Sequence, residues 1–209
     1  MKVTIDKRIP SMAGLGGGSS DAVATLRGLN LYHGQPYTNK DLSVVAEKLG
    51  SDCPFFLHDG IGHAIGRGDK VRIISGTEQN EINGQRIFLF QPPIGFSTPL
   101  IYKALAANGS YSDPCWAKKV VQEWEAGERS VSDFCHNDFE SVLLSKYLFL
   151  KPIFEELRDC FGLSFQVSGS GSSCFCLVSE SVDEKPVRDL ISRSLGLEAS
   201  FWVSRIRLN

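Results

Sequence analysis

The sequence predicts an α+β protein, and three observations carry that expectation. A glycine-rich segment, Gly14 to Gly18, leads directly into apolar residues at helical spacing. Between Ile61 and Ile74 the order is strand, Gly66-Arg67-Gly68-Asp69 turn, strand, which reads as a hairpin. From Ile87 onward, compact apolar runs of strand type mix with helical patterns, so both halves combine helices with strands.

The β-branched run Val3-Thr4-Ile5 suggests a strand ending near Pro10. After the glycines, Ala22, Val23, Leu26, Leu29 and Leu31 mark an amphipathic helix that Gly34 closes. A second helix is expected from its cap Thr38 through Leu42, Val45, Ala46 and Leu49 to Gly50. The polar, turn-prone stretch from Ile74 to Gln85 is the expected boundary, giving domains 1–84 and 85–209. Ile87-Phe88-Leu89-Phe90 then forms a strand stopped by Pro92-Pro93. Helices are expected around 115–126, 138–149 and 152–160, the last with Pro152 in its first turn. Strands at Phe165–Ser168 and Cys174–Val178 flank Gly169-Ser170-Gly171-Ser172-Ser173, before a helix near 183–195 and a strand near 200–207.

Composition removes several functional classes. The 209 residues carry 22 Lys plus Arg against 24 Asp plus Glu, without the basic excess that favours nucleic acid. Short basic clusters such as Lys7-Arg8, Lys118-Lys119 and Arg205/Arg207 read as solvated surface. Neither a signal-like apolar stretch nor a membrane-length run is present, so a cytoplasmic location without membrane contact is expected. The six cysteines lack C-x-x-C spacing, and Cys174 and Cys176, two apart in a strand, should share one packed face. No resident metal site is expected, and His33, His58, His63 and His136 show no metal or triad spacing.

The chemistry concentrates in Pro10-Ser11-Met12-Ala13-Gly14-Leu15-Gly16-Gly17-Gly18-Ser19-Ser20, which joins an expected strand to an expected helix. Glycines let backbone turn with positive φ and approach a ligand without an intervening Cβ. The free amides and dipole of the following helix start suit phosphate, and Ser19 and Ser20 can add hydroxyls. The segment is not a Walker loop, and no G-x-G-x-x-G register runs from Gly14 to Ser20.

The pattern P-x-x-x-G-L-G-G-G-S-S-D-A resembles the ATP loop of the GHMP kinases, named for galactokinase, homoserine kinase, mevalonate kinase and phosphomevalonate kinase. The triple glycine with S-S-D-A is most similar to the branch acting on diphosphocytidyl-methylerythritol. The resemblance implies a GHMP kinase fold: a ribosomal S5-like amino-terminal domain, here incomplete, and a ferredoxin-like carboxy-terminal domain. It implies that ATP, with Mg²⁺, phosphorylates the hydroxyl at carbon two of diphosphocytidyl-methylerythritol in isoprenoid precursor synthesis. Residues 10–20 would then hold ATP.

Gly50-Ser51-Asp52-Cys53-Pro54-Phe55-Phe56 resembles the family's G-x-D-x-P-F element, which assigns Asp52 the role of base toward the attacking hydroxyl. On residue type alone, Asp52 would cap a short helix. Gly169, Ser170 and Gly171 resemble the family's carboxy-terminal glycine motif and are expected to wall the site. Asn137-Asp138-Phe139-Glu140 resembles a family N-D-x-E segment, expected to cap a helix and do nothing else. One departure stands out. Family chains begin with further strands that carry a lysine in an A-K-x-N-like segment, and no such segment occurs here. Lys7 stands in a different context and is given no role. Two alternatives therefore remain beside the main reading, a non-catalytic nucleotide-binding fragment and another GHMP small-molecule kinase.

Overall fold

The computed structural model describes residues 2–74, 82–108, 111–130 and 135–208. The chain forms two compact units, one of Met1–Ser11, Gly16–Gln79 and Leu208–Asn209, the other of Met12–Leu15 and Asn80–Arg207. Most of the expected boundary stretch, residues 75–81, lies outside the described residues.

In the first unit, helix α1 (Gly17–Tyr32) and helix α2 (Asn39–Leu49) pack on a 3₁₀ helix, Cys53–Leu57. Thr38 caps α2 in a reciprocal box with Asp41, so local chemistry sets where that helix begins. Strands β1 (Ile61–Ile65) and β2 (Lys70–Ile74) form the expected antiparallel hairpin, with Ile61 opposite Ile74. The buried cluster is small: Val23, Leu42, Ala46, Cys53 and Leu57. The expected strand at Val3–Ile5 is not formed. A strand exists through its pairing, and no described residue hydrogen-bonds alongside this run, whose Val3 and Ile5 side chains are exposed.

In the second unit, β3 (Arg86–Gln91) lies between β5 (Cys174–Val178) and β6 (Ser200–Arg205), with the two-residue β4 (Gln166–Val167) on the outer side of β5. Every pairing is antiparallel. Counted within the unit, the spatial order is second, third, first, fourth, the ferredoxin-like arrangement. Phe88 stands opposite Cys176 and Phe90 opposite Cys174, so both thiols share the buried face as their spacing predicts. Burial pushes the Cys176 thiol up to about 11 and holds the Cys174 thiol well above its ordinary value, which makes both packing groups rather than nucleophiles.

Helices α3 (Thr98–Asn108), α4 (Pro114–Glu125), α5 (Phe139–Lys146), α6 (Leu150–Phe161) and α7 (Glu184–Leu195) complete this unit. Leu150, Ile153 and Leu157 of α6, with Val187, Leu190 and Ile191 of α7, line the core at helical spacing. Helix α3 was not expected from the sequence. Its signals are weak, yet Ile101 and Leu105, one turn apart, are both buried. Among the described residues no helix is long and apolar enough to cross a membrane.

The two cores differ in size, and stability should follow. Among the described residues, sixteen buried ones form the second unit's cluster against five in the first, where Leu31, Tyr32, Val44 and Leu49 remain exposed. Each fully buried large apolar side chain contributes about 1.5–3 kcal/mol. Denaturant unfolding should therefore show non-coincident transitions, with α1 and α2 amides exchanging before those of β3 and β5. One coincident transition by circular dichroism and hydrogen exchange would refute this ordering.

Candidate active site

The glycine loop divides between the two units, and each part has its own geometry. In the first unit, Gly16 occupies the N-cap of α1 in the left-handed region, φ 65°, and brings no side chain to cap the helix. The first intrahelical bond is Ser20 N–H to Gly16 O at 2.9 Å, so the amides of Gly17, Gly18 and Ser19 have no helical acceptor. No acidic side chain occupies that first turn. The Lys7 ammonium is hydrogen-bonded to Asp21, and a Cβ placed on Gly17 would lie 3.4 Å from Lys7 Nζ. The Lys7–Asp21 ion pair and the free amides thus meet at one helix end, where the dipole adds to the pull of the amides. Ser20 Oγ donates back to Gly17 O at 2.9 Å, whereas Ser19 Oγ has no partner among the described residues.

The 3₁₀ helix brings the candidate base to the same unit. A Cβ on Gly16 would meet the Phe56 ring at 2.7 Å, so only glycine lets the loop close over that ring. Asp52 sits at the N-cap position of this helix, about 8 Å along its axis from Phe56 at 2.0 Å rise per residue. Its carboxylate makes no cap hydrogen bond, contrary to the expectation from residue type. Asp52 holds helical backbone angles, φ −84° and ψ −12°, rather than the extended ones of a capping residue, and Pro54 removes one of the two amides such a side chain accepts from. Asp52 is exposed, accepts from Ser51 Oγ at 3.2 Å, and faces the hairpin turn, where a Cβ on Gly68 would come within 3.5 Å of Oδ1.

In the second unit, Met12–Leu15 pack against the other glycine loop. Ser172 N–H donates to Met12 O at 3.1 Å, Ser173 N–H to Ala13 O at 2.9 Å, and Ser168 Oγ to Gly14 O at 2.9 Å. A Cβ on Gly14 would lie 2.1 Å from Ser168 O. The three residues expected to wall the site are not equivalent. Gly169 is exposed, whereas Ser170 and Gly171 are buried, Ser170 sharing a 2.7 Å hydrogen bond with Thr98 Oγ1 and Gly171 lying against Phe96. Of the loop residues, Ser11, Met12, Gly14 and Gly18 are exposed, Ala13 and Gly17 are buried, and Pro10, Leu15, Gly16, Ser19 and Ser20 are half-buried.

Two residues have contacts that the sequence reading did not anticipate. Lys7 is one, placed by its link to Asp21. Asn137 is the other: its Oδ1 accepts from Phe139 N–H at 3.0 Å, the expected cap, but Nδ2 also donates to Val167 O and Gly169 O, each at 2.8 Å. Asp138 makes no cap and instead accepts from Ser112 N–H at 3.1 Å. Burial opposes its charge, but hydrogen bonds from Ser112 and His136 outweigh that and hold its carboxyl below the usual range.

A ferredoxin-like unit, an uncapped glycine-rich helix start and an exposed aspartate at the start of a short helix together define a class. A family model described as the GHMP kinases N terminal domain matches residues 1–60, and one described as GHMP kinases C terminal matches residues 117–194. The chain belongs to the GHMP kinases, a family of small-molecule kinases. Among its relatives, a 4-diphosphocytidyl-2-C-methyl-D-erythritol kinase of Pseudothermotoga lettingae is 30% identical over 191 residues, covering 91% of this chain and 67% of that protein. Those named likewise in Listeria monocytogenes and Lawsonia intracellularis are each 34% identical, over 60% and 62% of their own lengths and 86% of this chain. The chain thus spans between 60% and 67% of the length of these relatives. A crystal structure of 4-(cytidine 5'-diphospho)-2C-methyl-D-erythritol kinase superposes with TM-score 0.68 at 29% identity, over 94% of this chain and 67% of the other. A mevalonate kinase structure at 15% identity, TM-score 0.64, covering 97% of this chain and 67% of its own, shares the fold.

Proposed function

We propose that this chain carries the ATP-binding and catalytic elements of a kinase that phosphorylates the 2-hydroxyl of 4-diphosphocytidyl-2-C-methyl-D-erythritol. The observation that carries the reading is the start of α1, with three amides lacking helical acceptors, no acidic side chain in the first turn, and the Lys7 ammonium, ion-paired to Asp21, beside Gly17. Such a site holds phosphate, and residues 10–20 would hold that of ATP. The names of the relatives support the choice of substrate. Residues 1–84 would form the nucleotide-binding domain and residues 85–209 the second domain.

In this reading the substrate hydroxyl attacks the γ-phosphorus, the bond from phosphorus to the ADP oxygen breaks, and Asp52 accepts the hydroxyl proton. An exposed carboxylate that caps nothing is free for that role. The loop amides and Lys7 would offset charge on the phosphate oxygens. Among the described residues no cluster of three His, Cys, Asp or Glu could hold a metal ion. Mg²⁺ would enter with the nucleotide, bound mainly by its phosphates, with the Ser19 hydroxyl in reach of that end of the loop, and would supply further charge neutralisation.

The test is ADP release in a coupled assay. Release that depends on diphosphocytidyl-methylerythritol is the expected result. Release with mevalonate or homoserine instead would move the chain to another reaction of the family. ATP binding without turnover on any of them would favour a non-catalytic nucleotide-binding chain.

A further inference from the structure

We infer that Asn137 is a positioning residue for the phosphate loop, acting through Ser168; this rests on the nucleotide reading of that loop. The Asn137 side-chain amide has two N–H groups and uses both, on Val167 O and Gly169 O, each at 2.8 Å. These carbonyls stand on either side of Ser168 in the chain. The residue between them is thereby clamped. Ser168 in turn makes the contacts that shape the first loop's opening half: its Oγ donates to Gly14 O at 2.9 Å, and its own carbonyl receives Gly171 N–H at 2.9 Å.

A continuous path therefore runs from Asn137 through Ser168 to Gly14. It closes on itself, because Ser168 N–H donates to Ser173 O at 2.8 Å and Ser173 N–H donates to Ala13 O at 2.9 Å. With Ser172 N–H on Met12 O, these bonds fix the carbonyl directions of Met12, Ala13 and Gly14. The chain then passes through Leu15 to Gly16, whose left-handed turn opens α1. A loop that presents amides to phosphate without rearrangement binds it more tightly than one that must first be ordered. Neither Asp nor Ser could replace Asn here. Ionised Asp has no proton to donate, Ser has one, and the clamp requires two from a planar group.

The same side chain also caps α5 through Oδ1, so the test must separate the two tasks. Asp caps a helix about as well as Asn. If Asn137 serves only as a cap, Asn137→Asp matches the unsubstituted chain and Asn137→Ala is the damaging change. If it positions the loop, both variants fail alike. The expected result is faster hydrogen exchange at Ser168, Gly171, Ser172 and Ser173 in both variants, with the larger fall in melting temperature in Asn137→Ala, which also loses the cap. ATP affinity by calorimetry should fall about tenfold or more in both, as the loss of two hydrogen bonds implies.

Unchanged exchange and affinity in Asn137→Asp would overturn the inference. If the unsubstituted chain binds no ATP while exchange still responds to both substitutions, the nucleotide reading fails. Asn137 is then a structural clamp and the positioning role is overturned with it.

Discussion

Asp52→Asn is expected to lower kcat by about three orders of magnitude while leaving the KM for ATP within a few-fold and the melting temperature nearly unchanged. Positioned proton acceptors contribute roughly 10²–10⁴ in rate, and Asn can accept a hydrogen bond but not the proton. Stability should hold because the carboxylate is exposed, caps nothing, and has as its hydrogen-bond partner Ser51 Oγ, which Asn can also satisfy. The measurement is steady-state turnover with each substrate varied, alongside a thermal melt. Turnover equal to that of the unsubstituted chain would remove Asp52 from the chemistry and leave it a surface residue beside the hairpin turn.

Gly14→Ala should abolish measurable nucleotide binding, a loss of about a hundredfold or more. Two costs add. The backbone at Gly14 has φ +73°, where a Cβ costs about 1–2 kcal/mol, and the new atom would sit 2.1 Å from Ser168 O. That neighbour is backbone, held by the Ser173 and Asn137 bonds, and cannot swing aside. The displaced segment is Met12–Leu15, so the damage falls on the loop itself. Gly18→Ala is the informative contrast. Nothing lies within 4 Å of a Cβ there, and Ala favours a helix over Gly by about 1 kcal/mol, so the fold should gain slightly. If ATP affinity still falls in Gly18→Ala, the ligand itself approaches that backbone. Calorimetric titration of both variants, with melting temperatures, decides between these outcomes. Intact binding in Gly14→Ala would show that the two-loop contact does not govern the site.

Elements whose signals lie close together along the chain match their sequence expectations. Thr38 and Asp41 cap α2 from three residues apart, and Pro152 falls in the first turn of α6 as expected. The hairpin of β1 and β2, the strand Arg86–Gln91 and the shared face of Cys174 and Cys176 follow from side-chain period and turn residues. Helix α3 is not legible in the sequence because its apolar residues, Leu100, Ile101, Leu105 and the alanines, mark no single clean face. The run Val3–Ile5 departs from its expected strand for the opposite reason. Its residue types suit a strand, but strand formation depends on a neighbour that local sequence does not specify.

The sequence by itself determined where the candidate phosphate loop lies, that a helix follows it, which aspartate is the candidate base and which family the chain joins. Each depends on residues within one short segment, where φ preference, capping and period act locally. Only the tertiary structure decided what those segments rest on. Gly14 meets Ser168 across 154 positions, Asn137 reaches Val167 and Gly169 across 30 and 32, and Lys7 finds Asp21 across 14. Such contacts arise when packing brings distant residues together, and in those of Ser168 and Asn137 the acceptor is a backbone carbonyl, which every residue type carries. They therefore leave little trace in sequence until the fold has chosen their partners.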